Sequence, residues 1–191
     1  MSTTAASASR IPPSLKLTYH DYLLLPEDSN RYEIIDGELY MTPSPATRHQ
    51  RISKAILILL DRFVREKKLG EVFHAPIDVL LSDVDVVVPD LVFVSTERAK
   101  IVTEKNIDGS PDLIIEILSP STAGRDRDIK LKRYAKFKVP EYWIVDPNAC
   151  SVEIFRLAAK GYNLHASGRR TGALASPTFP GFGLDLRALF P

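Results

Sequence analysis

Several things are scarce in this chain, and each scarcity removes a class of function. Cys150 is the only cysteine, so no intrachain disulfide can form and a cysteine-based zinc site is excluded; a reducing, cytoplasmic setting fits. No apolar run approaches the roughly 20 residues of a membrane-spanning helix, so no membrane partner is expected. The N-terminal stretch MSTTAASASR lacks the apolar segment of a secretory signal. Excess charge of one sign is missing too: 25 Lys and Arg against 24 Asp and Glu leave a net charge of +1. Affinity for phosphate must therefore come from local patches rather than from an overall basic field. The four histidines, His20, His49, His74 and His165, have no zinc-ligand spacing. Neither a Walker phosphate loop nor a G-x-G-x-x-G turn occurs, which removes nucleotide binding through those devices. There is no G-x-S-x-G elbow, and Ser119 in ILSPS reads as a turn or helix-start residue.

What is present describes an α/β (α+β) domain. At 191 residues and 45% hydrophobic, the chain is long enough for one well-formed core. Residues 1–14 read as a disordered tail closed by Pro12-Pro13, and 15–191 as a single domain. Thr18 is placed to cap a short helix. RYEIIDGELYM alternates on both sides of Asp36-Gly37, a hairpin signal. Ser44-Pro45 would open a helix over 46–68 with Ile52, Ile56, Leu59, Leu60 and Phe63 on one face, and Gly70 would end it. Three strands follow, EVFHAPIDVLL, VDVVVPDLVFVS and PDLIIEIL, the last two apolar on both faces as in a covered central position. A second helix spans 125–138, then EYWIVD and SVEIFRL pair across Pro147-Asn148, with Trp143 as core. The expected architecture is one mixed sheet between helices.

Two carboxylates stand out against this apolar background. Glu116 interrupts LIIEIL in mid-strand, where a charge faces desolvation unless it is paired or binds a metal. Asp112 shares its face but lies about 13 Å away, too far to ligate the same ion; it reads as the start of the strand. Asp90 begins the neighbouring apolar run, and adjacent strands lie about 4.8 Å apart, within chelating reach. In RDRDIKLKRYAKFK, helical spacing puts Lys130 between Phe137 and Tyr134 on the apolar side and turns Lys132, Arg133 and Lys136 outward. A lysine there needs a partner, and Asp126 lies four residues before it. Each residue has a structural alternative: Glu116 as a buried ion pair, Lys130 as a lysine snorkelling from the core.

RYEIIDGELYMTPSPATRHQ, PDLVFVS, PDLIIEILSPST, the series Asp126, Lys130, Tyr134, and VPEYWIVDP together resemble the Uma-two family of putative restriction endonucleases, in the PD-(D/E)xK nuclease superfamily. The resemblance covers about 17–190. It implies a restriction-endonuclease-like mixed sheet flanked by helices. It also implies metal-dependent hydrolysis of phosphodiesters by a homodimer, in DNA, with RNA left open, using Mg²⁺ or Mn²⁺. Asp90 and Glu116 take the places of the two metal-binding acids, joined by the backbone carbonyl of Ile117. The superfamily's lysine lies two residues after the second acid, where this chain has Leu118, so Lys130 would replace it from the following helix. Glu33, Gln50, Asp126 and Tyr134 are accessory candidates, with His49 beside Gln50 in the same N-terminal motif. The competing reading is a nuclease-fold module that binds nucleic acid or protein without turnover.

Overall fold

The computed structural model describes residues 15–26, 30–42 and 44–190; the tail expected over 1–14 lies outside them. Thr18 caps α1 (Tyr19–Tyr22) in a capping box with Asp21. Asp36 and Gly37 both adopt positive φ, 54° and 80°. This is the combination a type I′ turn requires, and it joins β1 (Arg31–Ile35) to β2 (Glu38–Thr42).

Helix α2 (Thr47–Lys67) buries His49, Ile52, Ile56, Leu60 and Val64 along one stripe. It starts later than Ser44-Pro45 suggests: the chain is still extended at Ala46, and no side chain caps the helix. Its end is also set differently. Lys68 takes the left-handed conformation, φ 55°. Gly70 instead opens a strand with φ 151°, where an added Cβ would lie 2.1 Å from the Val94 carbonyl oxygen.

The remaining strands are β3 (Gly70–His74), β4 (Val79–Ser82), β5 (Asp85–Val87), β6 (Leu91–Ser95), β7 (Ile107–Asp108), β8 (Leu113–Ile117), β9 (Glu141–Asp146), β10 (Ser151–Ala158), β11 (Gly161–Arg169), β12 (Ala173–Ala175) and β13 (Gly183–Asp185). A π-helical turn, Arg125–Lys130, runs on into α3 (Leu131–Lys136), and α4 (Leu186–Leu189) follows β13.

The strands build two main sheets rather than the one expected. A six-stranded sheet has the order β11-β10-β9-β8-β6-β3, and a five-stranded sheet the order β2-β1-β5-β4-β7. VDVVVPDLVFVS is split between them: β5 belongs to the smaller sheet and β6 to the larger. The physical reason is Pro89, which has no N–H to continue a ladder. The chain therefore changes sheets across Val88-Pro89-Asp90, and Asp90 sits where the two layers part.

Side chains of β8 alternate between two cores. Leu113, Ile115 and Ile117 pack with Ile52, Ile56 and Leu60 of α2 and with Trp143. Ile114 faces the other way, among Val87, Tyr134, Tyr142 and Ile144. Each of these fully buried side chains stabilises the fold by roughly 1.5–3 kcal/mol. Glu116 is on the same face as Ile114, so a carboxylate enters the layer between the larger sheet and α3. Arg133 is not turned to solvent as helical spacing predicted. It pairs with Asp85 at 2.7 Å and Asp36 at 3.0 Å, while Lys132 and Lys136 are exposed.

Candidate active site

Strand register brings the two acids together. β6 and β8 are antiparallel with Leu91 opposite Ile115, so Asp90 falls across from Glu116 at the end of the pair. A polar cavity of about 200 Å³ opens there. It is lined by Asp90, Glu116 and Lys130, by Glu33, Arg31 and Thr42 of the hairpin, by the start of α2, and by the loop 119–122 with Arg125 and Asp126.

The groups on its floor are almost wholly buried: Asp90 and Glu116 are 4% exposed, and Glu33, Asp126 and Lys130 2%. Lys130 is their hub. Its Nζ donates to Glu116 Oε1 at 2.8 Å and lies 2.7 Å from Glu33 Oε1 and 3.6 Å from Asp126 Oδ1. Burial disfavours its charge, but Glu116, Glu33 and Asp126 outweigh that and hold the ammonium above its ordinary pKa. Tyr134 also donates to Glu116 Oε1, at 2.7 Å. Both bonds fall on Oε1, and Oε2 has no hydrogen-bond partner among the described residues. Burial, reinforced by Asp126, Asp90 and Glu33 against the opposing pull of Lys130, pushes the Glu116 carboxyl up to about 8. Asp126 is likewise raised by burial.

Asp90 is held differently. Its Oδ2 accepts from His49 Nε2 at 3.0 Å and from the Ile117 amide at 2.9 Å, and its Oδ1 faces Arg31 at 3.3 Å. Burial works against the charge here too, yet these donors keep the carboxyl below its usual range. The two acids thus sit side by side with their proton affinities driven apart.

The accessory candidates divide. Tyr134, Asp126 and Glu33 belong to the cluster. Glu33 also accepts from the Val88 amide at 2.9 Å and faces Arg125 at 3.4 Å. Gln50 is exposed and does not line the cavity. Asp112 is structural, receiving the Ser95 amide at 2.8 Å and Arg98 at 3.4 Å. Leu118, at the position expected of a lysine, is buried beside Tyr134 and Ile114. Sequence reasoning underrated His49 and did not single out Arg31 or Arg125. Arg125 donates to Thr42 Oγ1 at 2.6 Å and stacks over the Tyr40 ring. The available signal was the strict alternation of β1: Arg31 and Glu33 share a face, as do their partners Thr42 and Tyr40 across the hairpin.

Residues 19–187 match the family Uma2, described as "Putative restriction endonuclease". The chain belongs to the Uma2 family. Among solved structures it is similar to a "putative nuclease belonging to DUF820" from Anabaena variabilis, with a TM-score of 0.76 at 21% identity. That match covers 91% of this chain and 97% of the other, and it shows that the two share a fold. No curated protein matches.

The Uma2 assignment implies a divalent metal, and the donor chemistry suits one. Among the described residues no group of three or more His, Cys, Asp or Glu side chains is placed to hold an ion. A small hard cation asks for less: one or two carboxylate oxygens, with water completing its shell. Glu116 Oε2 and Asp90 Oδ1, whose bond from Arg31 is long at 3.3 Å, meet that requirement.

Proposed function

We propose that this cavity hydrolyses phosphodiester bonds, in DNA, with Mg²⁺ or Mn²⁺ held by Asp90, Glu116 and the Ile117 carbonyl. One observation supports this above the rest: Asp90 just before β6, Glu116 on β8 and Lys130 in the π-helical turn line one polar cavity, with the lysine bonded to the second acid. When bound, a divalent cation supplies Lewis-acid polarisation of the phosphate and a lowered pKa for a bound water.

The chain's own groups do the rest. His49, Arg31 and the Ile117 amide fix Asp90 as an ionised carboxylate. Tyr134 and Lys130 both bond Glu116 through Oε1, which orients the carboxyl and leaves Oε2 without a hydrogen-bond partner among the described residues. Glu116 must release its proton before it can serve as a ligand. Lys130, charged and fixed between Glu116 and Glu33, is placed to orient the attacking water or offset charge developing on the phosphate oxygens.

The competing reading, a silent binding module, rests on Leu118 and on the near-neutral charge. Lys130 answers it by bringing an ammonium to the second acid from a different element. By family likeness we take the working unit to be a homodimer, which sedimentation of the purified protein tests. Glu116→Ala should abolish cleavage of DNA and metal binding together. Lys130→Ala should lose cleavage while keeping most metal affinity, measured by calorimetric titration with Mn²⁺. A fully active Lys130→Ala enzyme contradicts the lysine's role.

A further inference from the structure

We infer that the cavity accepts one phosphate of an unpaired nucleic-acid strand rather than the backbone of an intact duplex; this rests on the phosphodiesterase reading above. The first ground is depth. The acids and the lysine are 2–4% exposed, and the space above them is about 200 Å³, smaller than the roughly 300–1,000 Å³ of ordinary small-ligand sites. A phosphate with part of its sugar fits such a space. Two paired strands do not, so the scissile phosphate has to leave the line of the backbone to reach Glu116. An unpaired strand bends in freely, whereas a paired one must first unstack and unpair.

The second ground is the lining. Ser119, Ser121 and Thr122 are among the lining residues. The lining also includes the start of α2, which has neither a side-chain cap nor an acid in its first turn, so its amides and dipole favour an anion. Outside the cavity, α2 continues with exposed Arg48, Arg51 and Lys54 at successive three-residue steps, neighbours on a helix surface. No acid occurs in 47–60. On a chain with a net charge of only +1, this is a local basic stretch on the helix that begins at the cavity, suited to a flexible backbone.

The test presents one labelled oligonucleotide as a single strand, as a blunt duplex and as a duplex with an unpaired flap, each in Mn²⁺ and in EDTA. The single strand and the flap should be cut roughly tenfold or more faster than the blunt duplex, with cuts inside the unpaired segment. Equal cutting of the duplex overturns this inference and leaves the phosphodiesterase reading standing. No metal-dependent cutting of any form overturns both. Separately, Arg51→Gln with Lys54→Gln should reduce the slope of log affinity against log salt for the single strand by about 1.4. An unchanged slope removes the basic stretch.

Discussion

Taking away the Lys130 ammonium would leave Glu33, Glu116 and Asp126 facing one another with their shared cation gone. Lys130→Ala should therefore destabilise the protein as well as silence it, by about 3–5 kcal/mol at neutral pH. Part of that loss should return on acidification, because protonating the carboxylates that are still ionised removes their repulsion; urea midpoints at two pH values measure both effects. Glu116 makes a second prediction. Its carboxyl is pushed up to about 8 from an ordinary 4.5, so the folded state holds a proton that the unfolded chain has released. This group's contribution to stability is then present below the ordinary value and falls as pH rises toward 8. Cleavage should run the opposite way, rising with pH and levelling above about 8 as the ligand form of Glu116 accumulates. A rate independent of pH from neutrality upward would mean that Glu116 is not a group whose ionisation gates the reaction.

At the level of elements, β6 joins the site to a distant constraint. Its Leu91 end adjoins Asp90, and its Ser95 end pairs with Gly70. Gly70→Ala forces a side chain onto φ 151° and against the Val94 carbonyl oxygen, at a cost of roughly 1–3 kcal/mol from the backbone alone. Thermal unfolding should show a lowered Tm, while the folded fraction retains its rate per molecule because the strained end lies opposite Asp90. The same strand shows what could be read from the sequence. Alternation in PDLIIEIL put Glu116 on a buried face and separated it from Asp112, and the hairpin followed from Asp36-Gly37. The break of VDVVVPDLVFVS into two sheets was less visible, because an apolar run looks alike whether or not it changes layer; only Pro89 marked the place. The π-helical turn was invisible to an argument from 100° spacing. Such turns recur at functional sites, and this one holds Asp126 and Lys130 in the cluster.

For the molecule as a whole, near-neutral charge and a basic stretch on α2 argue for binding to phosphate that is local and salt-dependent. The pairing of Asp90 with Glu116 could be proposed from strand spacing. The side chains that keep Asp90 ionised could not, because His49 and Arg31 come from elements whose approach is decided by packing. Cleavage of labelled single-stranded DNA by wild type and Glu116→Gln, in Mn²⁺ and in EDTA, decides whether these groups form one metal-dependent nuclease site. On the proposed mechanism the wild type cuts in Mn²⁺ alone. Cutting that persists in EDTA, or in Glu116→Gln at the wild-type rate, would contradict it.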